Sequence, residues 1–428
     1  MAISVFSEFG PLRRVLVHRP GQAIDWMVPS QMEELLFDDI LDSRQAREEH
    51  DAFCRVLQKA GAETLDPEGL LAEVLAQDDA REQLLAALQR RYGLEPRRVS
   101  SLETLDPKQL AAVCIRGLRT ESQVPALRFK KRRFFDLDPL PNYFFQRDPQ
   151  VVMGDRVVIS AMATGARERE PYLSRMIFER HPALEGWKDL FRLDSPTSWD
   201  PDFELDYPYP ELEGGDVLIA SDEVLLVGLS ARTNMQGAML LAEYLRTEDT
   251  SFRHLFLVQL PRKRSYMHLD TVFTFIDHGT CLAFLPVLEP GQAESARLYA
   301  VDLTAEALSL SPLNSVEEAL DDAGMGVELI PCGGSGDLIF QHREQWTDGA
   351  NAFAMAPGVI ALYARNRRTV EELGRRGWRV LKEEEALADG VDLVGQGPTV
   401  VTLQSNELSR ARGGPRCMTM PLERAPLS

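Results

Sequence analysis

Cysteine is scarce in this sequence and follows no recognisable pattern. The 428 residues contain only five cysteines, an odd number without any C-x-x-C spacing, which excludes a disulfide scaffold or a cysteine-based zinc site and favours a reducing compartment. Long apolar runs are missing too, since no stretch approaches the roughly 18 apolar residues of a membrane-spanning helix. The N-terminus "MAISVFSEFG" has neither a basic nor a long apolar segment, so we expect a cytoplasmic protein without a membrane segment.

Basic residues are fewer than acidic residues in this sequence. The 47 lysines and arginines are outnumbered by 66 aspartates and glutamates, for a formal net charge of −19, which argues against nucleic acid or anionic lipid as a partner and mildly favours a small cationic substrate. The basic stretch "FKKRRFF" at 129–135 is interpreted as a solvated linker. The hydrophobic share of 44% and the charged share of 26% are ordinary for a globular protein with a large core.

A hairpin pattern recurs along the chain. Four segments that begin at Val151, Val217, Val272 and Ala352 each pair two short β-type runs about a tight turn. Amphipathic helical stretches follow at 168–180, 231–246 and 369–376, and a further strand-like piece such as "LFLVQL" or "WRVLK" often comes next. With "PLRRVLVHRP" as a strand of one more unit, the pattern predicts a strand–turn–strand, helix, strand unit repeated about five times.

Such a unit cannot bury its own apolar face, so neighbouring units are expected to stack. Closing the array into a propeller-like α/β ring would remove exposed sheet edges, and an open, doubly wound sheet is the alternative. Residues 67–130 break the pattern, because their apolar residues recur at helical spacing after Asp-Pro starts. We therefore predict a small all-helical insertion at 67–130 in a main α/β domain made of 1–66 and 131–428.

Polar residues precede the first strands of the units, where they would converge on one cavity. In "MHLD", His268 and Asp270 share one face of a strand and could pair a general acid or base with an anionic docking group; a core histidine satisfied by hydrogen bonds is the alternative. In "EGGD", the glycine pair allows close backbone approach and holds Glu213 and Asp216 in a turn. Here the alternative is a tight turn with capping carboxylates.

Two further stretches carry chemical groups. In "NYFFQRDP", Asp148 stands before a proline in a conformation biased to be extended, and a surface ion pair with Arg147 is the alternative. In "RGGPRCM", the thiolate of Cys417 could be a nucleophile, with its pKa lowered by Arg412, Arg416 or a cationic substrate. An inert, buried cysteine is the alternative at this position.

A thiol, an imidazole and three carboxylates around one cavity suit a guanidinium. Two carboxylates can hold this planar cation by forked hydrogen bonds while a thiolate attacks its central carbon. A metal site is disfavoured because only one histidine takes part. We therefore expect neither a metal nor an organic cofactor.

The sequence resembles the arginine deiminase family of the guanidino-group-modifying superfamily. The resemblance spans essentially the whole chain and rests, in order, on "SEFGPLRRVLVHRPG", "ELLFDD", "N-x-x-F-x-R-D", "R-x-R-E", "EGGD", "G-x-x-x-R-T", "MHLDTVFT", "W-x-D-G-x-N" and "GGPRCM". It implies a five-bladed α/β propeller with a helical insertion, and hydrolysis of L-arginine to L-citrulline and ammonia without a cofactor. A homo-oligomer is the default expectation for an acidic cytoplasmic enzyme.

The resemblance also implies catalytic roles. Cys417 resembles the nucleophile that forms a covalent amidino-thioether, and His268 resembles the acid that protonates departing ammonia and then the base that activates water. Glu213 would hold the imidazole, while Asp148 and Asp270 would bind the guanidinium nitrogens.

Seven more residues fall at positions implied to bind substrate: Asn142, Phe145, Arg167, Arg232, Asp216, Leu36 and Arg412. Among them, Asn142, Arg167 and Arg232 are expected to contact the substrate carboxylate. The loop at Leu36 would close over the α-amino group, and Arg412 would occupy the empty pocket.

This chain departs from the usual family pattern at four positions that bear on rate, gating and substrate choice: Thr347, Ala350, Ser409 and Ala411. A sister reaction on the same scaffold, namely amidino transfer, a second hydrolysis to ornithine or deimination of another guanidine, is one alternative function. A catalytically silent arginine-binding protein is another. Because acidic neighbours raise the pKa of a thiol, we expect Cys417 to ionise fully only when a cationic substrate arrives.

Overall fold

Short strands and helices alternate along the chain in this computed structural model, which describes residues 3–92, 94–120, 134–193 and 209–427. The described strands are β1 (Leu12–Leu16), β2 (Glu63–Leu65), β3 (Leu118–Arg119), β4 (Phe135–Leu137), β5 (Gln150–Met153), β6 (Arg156–Ile159), β7 (Asp189–Arg192), β8 (Val217–Ile219), β9 (Val224–Leu229), β10 (His254–Gln259), β11 (Phe273–Asp277), β12 (Thr280–Ala283), β13 (Arg297–Asp302), β14 (Ser311–Leu313), β15 (Glu328–Pro331), β16 (Phe353–Ala356), β17 (Val359–Tyr363), β18 (Arg379–Lys382), β19 (Thr399–Leu403) and β20 (Met420–Arg424).

The helices lie between these strands. Their bounds are α1 (Gln22–Asp25), α2 (Ser43–Lys59), α3 (Pro67–Val74), α4 (Asp78–Tyr92), α5 (Pro96–Glu103), α6 (Pro107–Arg116), α7 (Arg169–Arg180), α8 (Met235–Thr247), α9 (Leu285–Leu288), α10 (Val316–Asp322), α11 (Leu338–Trp346), α12 (Arg367–Arg375) and α13 (Glu383–Ala386). Within the described residues, no helix is long and apolar enough to cross a bilayer.

Five sheets contain the same three-stranded unit, in which an antiparallel pair is joined by a third strand parallel to the second. The units are β5-β6-β7, β8-β9-β10, β11-β12-β15, β16-β17-β19 and β20-β1-β2. The four predicted hairpins form the antiparallel pairs of the first four units. The fifth unit joins the last strand of the chain to its first, because β20 lies antiparallel to β1.

Two parts of the sheets differ from the predicted repeat. The segment "WRVLK" was predicted as the third strand of its unit, but its strand β18 lies at the sheet edge and β19 takes the third position. Strands β13 and β14 lie between β12 and β15 in the chain, yet they extend the sheet of β10. Local periodicity does not specify such pairing, because it indicates which residues of a strand are buried and not which neighbouring strand it pairs with.

Four helices, α3 to α6, occupy 67–116, within the range predicted to be an insertion. Asp66 and Asp106 begin α3 and α6, and their carboxylates accept hydrogen bonds from the backbone N–H groups of Glu68 (3.2 Å) and Gln109 (2.8 Å). Each is followed by a proline at the first helical position. The range is not entirely helical, since β3 lies inside it and pairs with β4. Residues 121–133, with most of the basic stretch, lie outside the described part of the chain.

The central strands are buried along their whole length, which fixes where polar groups can lie. All residues of β5, β6, β8, β9, β16, β17 and β19 are buried. Strands covered on both faces read as continuous apolar runs. Polar side chains are therefore carried by the segments at the ends of the strands, such as Gly214–Asp216 before β8 and Leu269–Thr271 before β11.

The junction of β20 with β1 yields a stability prediction. Leu422 in β20 is fully buried, so we expect Leu422→Ala to lower the free energy of unfolding by about 2–5 kcal/mol through lost burial and a residual cavity. The measurement is urea denaturation followed by circular dichroism. Leu427→Ala is the control, because Leu427 is 37% exposed and a change within about 0.5 kcal/mol is expected there. Equal effects of the two substitutions would contradict the importance of this junction.

Candidate active site

A small cavity of about 30 Å³ brings together residues that are far apart in sequence. Its wall is formed by Leu36, Asn142, Phe145, Asp148, Arg167, Arg232, Met267, His268, Thr271, Ala411, Arg412 and Cys417. Nine of these were singled out from the sequence. Three other predicted residues, Glu213, Asp216 and Asp270, are fully buried. Glu213 and Asp270 contact the wall residues His268 and Cys417, whereas Asp216 contacts Leu269, which is not part of the wall.

The glycine pair of "EGGD" is required by close packing, as its sequence predicts. A Cβ atom on Gly214 would lie 2.0 Å from the carbonyl oxygen of Arg147, and one on Gly215 would lie 2.7 Å from the ring of His268. Any side chain at either position would clash. The turn therefore packs its backbone directly against the histidine and places Glu213 beside it.

His268 and Glu213 form a buried acid–base pair. His268 Nε2 lies 2.9 Å from Glu213 Oε2, and the other oxygen of Glu213 accepts a hydrogen bond from the backbone N–H of Ala163 at 3.1 Å. Burial alone would lower the pKa of His268, but the charge of Asp148, the bond to Glu213 and the charge of Asp216 raise it to about 9. The ring is therefore an imidazolium at neutral pH and can donate a proton.

The thiol of Cys417 lies in an acidic, dry environment. Its Sγ is 3.8 Å from Asp270 Oδ2, its backbone N–H donates to Asn351 Oδ1 at 3.3 Å, and its carbonyl oxygen accepts from the N–H of Arg147 at 3.0 Å. Burial and the charges of Asp270, Asp148 and Asp348 raise the pKa of the thiol well above its ordinary value. Without a cation in the cavity, Cys417 is a neutral thiol.

Asp148 and Asp270 each use one carboxylate oxygen and leave the other free. Asp148 Oδ2 accepts from Arg167 Nη1 at 2.5 Å, and Asp270 Oδ2 accepts from Arg416 Nη1 at 2.9 Å. The Oδ1 atoms of both aspartates are buried and have no hydrogen-bond partner among the described residues. Buried carboxylate oxygens are rarely left unpaired, because desolvation without a partner is costly. The pair indicates a ligand that carries N–H donors.

The alternative interpretation, a surface ion pair between Arg147 and Asp148, is wrong. Both side chains are buried, at 4% and 3% exposure, and the carboxylate of Asp148 pairs with Arg167 instead. Arg147 donates its backbone N–H to the cysteine loop. The reason is the turn before β5, which directs Asp148 towards the cavity.

Arg167 is held by acidic groups of the protein itself. Its guanidinium donates to both oxygens of Glu170 at 2.7–3.1 Å, besides Asp148. Most of its donors are therefore occupied, and its visible role is to orient Asp148. Among the described residues, the guanidinium of Arg232 has only long contacts, to Thr164 Oγ1 (3.4 Å) and Glu213 Oε1 (3.8 Å), which leaves it better able to bind an anionic group.

Asp216 differs from its expected substrate-binding position. The cavity wall formed by the described residues does not include it. Its carboxylate accepts from the backbone N–H of Leu269 at 2.8 Å and from Ser230 Oγ at 2.7 Å. Asp216 thereby fixes the turn between His268 and Asp270, and burial raises its pKa to about 7.

Leu36 and Arg412 lie at the mouth of the cavity, and both have left-handed backbone conformations, with φ values of 68° and 66°. The amide of Asn142 donates to the carbonyl oxygen of Leu35 at 2.8 Å and so ties this loop to the wall. The Arg412 guanidinium stacks on the ring of Trp346, 3.4 Å from its centroid, and donates to the carbonyl oxygen of the same residue. It therefore lies on the wall, held away from the two aspartates.

Asn351 and Asp348 carried no predicted role, although a motif of the resemblance contained them, and Arg416 was expected only to lower the pKa of Cys417. Asn351 Oδ1 accepts from the N–H groups of Arg416 (3.0 Å) and Cys417 (3.3 Å). Asp348 has a buried Oδ2 without a partner among the described residues, and burial raises its pKa to about 7. Arg416 pairs with Glu8 as well as Asp270. The sequence did mark these residues, because they stand in the motifs that carry the resemblance. A motif does not, however, specify which residues form hydrogen bonds or ion pairs with one another.

The four departures from the family pattern are mostly packing positions. Ala411 lies on the cavity wall, whereas Ala350 is fully buried. Thr347 Oγ1 and Ser409 Oγ donate hydrogen bonds of 2.6 Å to Asn366 Oδ1 and to the carbonyl oxygen of Ser405. Only the alanine at 411 therefore changes the described surface that a ligand would meet.

A metal ion would have to bind at Asp148, Glu213 and His268, whose ligand atoms all lie within 4.8 Å of one another. The Nε2 of His268 is, however, already in hydrogen-bonding contact with Glu213. A cation there would break the contact that keeps the histidine protonated. The donor set fits an acid–base pair better than a transition-metal site.

Comparison with known proteins gives the family. A family model described as arginine deiminase matches residues 33–424. The arginine deiminase of Clostridium perfringens (strain SM101 / Type A) is 35% identical, with 100% of this chain and 99% of the relative covered. The chain belongs to the arginine deiminase family. A second family member, from Listeria monocytogenes serotype 4a (strain HCC23), is 34% identical over 99% of this chain and 98% of the relative.

Solved structures show the same fold class at low sequence identity. An amidinotransferase from Microseira wollei in the saxitoxin biosynthetic pathway aligns with a TM-score of 0.55 and 13% identity, covering 99% of this chain and 98% of that chain. A dimethylarginine dimethylaminohydrolase adduct with S-methyl-L-thiocitrulline aligns with a TM-score of 0.50 and 15% identity, covering 96% and 99%. The deiminase-family chain therefore shares its mixed α/β fold with these proteins.

The acidic surroundings of Cys417 yield a prediction for the ligand-free protein. Alkylation by iodoacetamide should stay slow at neutral pH and rise only above about pH 8.5, the ordinary pKa of a free thiol, because Asp270 and Asp148 oppose thiolate formation. Peptide mass mapping of Cys417 over a pH series measures this, in a Cys54→Ser background that removes the half-buried thiol. A rate plateau already reached at pH 7 would contradict the prediction.

Proposed function

We propose that this chain hydrolyses L-arginine to L-citrulline and ammonia through a covalent amidino-thioether on Cys417. The observation that carries the proposal is that Asp148 and Asp270 each bury an Oδ1 atom without a hydrogen-bond partner among the described residues, while Asp270 Oδ2 lies 3.8 Å from the thiol of Cys417. A guanidinium presents N–H donors in a fixed plane, so two carboxylates can orient it for attack on its central carbon. Membership of the arginine deiminase family supports the same substrate.

The positive charge of the substrate makes nucleophilic attack by Cys417 possible. Arrival of the guanidinium offsets the two aspartates and lowers the pKa of the thiol, which loses its proton to solvent. The thiolate sulfur then forms a bond to the guanidinium carbon. His268, as an imidazolium, gives its proton to the departing nitrogen, the C–N bond breaks and ammonia leaves.

The second half reaction regenerates the thiolate. His268 is now neutral and takes a proton from water as the water oxygen bonds to the amidino carbon. The C–S bond then breaks while the hydroxyl proton of the tetrahedral adduct passes to solvent, which regenerates the thiolate and releases citrulline with its carbonyl group. Glu213 stabilises the imidazolium in both half reactions through their 2.9 Å contact.

The remaining wall residues bind the other end of arginine in this proposal. Arg232 and Asn142 contact the α-carboxylate, with Arg167 acting mainly through Asp148. The loop at Leu36 covers the α-amino group. The long contacts of Arg232 in the empty cavity support this assignment.

We further propose that the five sheets close into a five-bladed α/β propeller made of 1–66 and 131–428, with the helices of 67–130 as an insertion. The pairing of β20 with β1 supports closure, because it joins the two ends of the chain in one sheet. Helix α3 packs against α6 and α7, which supports a small helical unit beside the second blade.

An intact-mass measurement tests the covalent intermediate. Acid quench during turnover with L-arginine should give an adduct of arginine less ammonia on the peptide that contains Cys417. Cys417→Ala should abolish both adduct and citrulline release, since no nucleophile remains. Cys54→Ala is the matched control and should leave both unchanged, because Cys54 lies in α2 outside the cavity wall. Ornithine or an amidino-transfer product in place of citrulline would point to a sister reaction.

The raised pKa of His268 gives a pH prediction. A group whose pKa is raised to about 9 keeps its proton below that pH, so kcat should fall on the alkaline side as the imidazolium is lost near pH 9. Glu213→Gln removes the charge that stabilises the imidazolium and should move the alkaline limb to lower pH by about one unit or more. Glu243→Gln, at an exposed surface pair with Arg246, is the control. An alkaline limb that stays in place in Glu213→Gln would refute the acid role.

A further inference from the structure

We propose that Glu8 is a positioning residue for the reaction, which restrains Arg416 so that one oxygen of Asp270 stays available to the substrate guanidinium. The proposal rests on the proposed function, in which Asp270 binds that guanidinium. Glu8 lies in the N-terminal segment, 408 positions before Arg416 in the chain. In this proposal Glu8 holds the guanidinium of Arg416, which would otherwise compete with the substrate guanidinium for Asp270.

Arg416 is the internal competitor. Its side chain is 1% exposed and stands next to Cys417. Its Nε and Nη2 donate to the two oxygens of Glu8 at 3.0 and 2.9 Å, whereas Nη1 alone donates to Asp270 Oδ2, at 2.9 Å. Nη2 also donates to the carbonyl oxygen of Val217 at 2.7 Å.

The way Arg416 divides its hydrogen-bond donors between Glu8 and Asp270 decides whether Asp270 keeps an oxygen for a ligand. A guanidinium and a carboxylate prefer two parallel hydrogen bonds, which would occupy both oxygens of the acid. Glu8 takes the forked side of Arg416, so Asp270 receives a single hydrogen bond and its Oδ1 remains without a partner among the described residues. That free oxygen is one of the two on which guanidinium binding depends.

Glu8 is held rigidly enough to do this. Its backbone N–H donates to the carbonyl oxygen of Ile219 at 2.8 Å, and its Oε1 accepts from the N–H of Ile219 at 3.2 Å. Burial opposes its ionisation, but the charges of Arg416 and Arg147 keep its pKa at about 2. Glu8 therefore stays a charged, doubly anchored partner at the start of the sheet that carries β8.

The same arrangement sets the charge near the thiol. Arg416, Arg147 and Arg424 are all buried, and Glu8 and Asp270 are the acids that act on this group of arginines. Removing the charge of Glu8 would leave Arg416 to Asp270 alone. The positive charge then felt by Cys417 rises, and its pKa should fall.

The test compares Glu8→Gln with two other variants. Glu8→Asp keeps the negative charge, but the side chain is one methylene group shorter and the carboxylate lies further from Arg416. Glu423→Gln is the matched control, because it breaks another Arg–Glu contact, the 2.8 Å bond to Arg14 between β1 and β20, away from Asp270. Citrulline formation at varied arginine concentration and the pH profile of Cys417 alkylation are measured on each full-length variant.

We expect Glu8→Gln to raise the KM for arginine by about tenfold or more, the usual effect of losing one charge-assisted hydrogen bond to the ligand, with kcat changed much less. Its Cys417 alkylation should begin at lower pH than in the unaltered protein. Glu8→Asp should raise KM by a smaller factor and keep the original alkylation profile. Glu423→Gln should leave both measurements unchanged.

The proposal is overturned if folded Glu8→Gln, verified by circular dichroism, matches Glu423→Gln in KM and alkylation profile. A loss of kcat with unchanged KM and profile would also overturn it, because that pattern indicates an interaction made only in the transition state and no effect on binding of the guanidinium. If Glu8→Gln does not fold, Glu8→Asp decides, and a KM within twofold of the original rejects the proposal. Absence of citrulline from the unaltered protein would instead reject the proposed function, while the alkylation profiles would still test the effect of Glu8 on Arg416.

Discussion

The site depends on negative charge that the protein buries without fully neutralising it. Asp148 and Asp270 each have one oxygen paired with an arginine and one without a described partner. Burial and the charges of these two aspartates raise the pKa of the Cys417 thiol, which therefore stays neutral. Such an arrangement is unfavourable on its own and becomes favourable when a planar cation enters. Binding and activation of the nucleophile are then a single event, because the ligand that completes the hydrogen bonds also permits the thiolate to form.

Much of the fold and of the candidate site could be predicted from the sequence, because these features are marked by local sequence signals. Tight turns between β-type runs marked the hairpins, and the glycine pair at 214–215 marked the close approach of backbone to His268. Ion pairs between residues that are far apart in the chain could not be predicted. The pairing of Asp148 with Arg167 in place of Arg147, and of Arg416 with Glu8 across 408 positions, follows from how distant segments pack together, which no local period or turn signal encodes.

The sheets show the same limit. Strands β13 and β14 lie within one unit of the chain but pair with the neighbouring sheet, and β19 takes the position expected for β18. Edge positions of this kind are decided by competition among strands of similar apolar character. The central strands have no such freedom, since they are buried on both faces, and they fix the turns that carry Glu213 and His268.

The stacking of Arg412 on Trp346 has a practical consequence. A guanidinium 3.4 Å from the centre of an indole ring alters the polarity sensed by that ring, and Trp346 is 44% exposed at the mouth of the cavity. Movement of Arg412 on ligand entry would therefore be visible as a change in indole emission. The chain carries an intrinsic optical reporter of occupancy, without any attached dye.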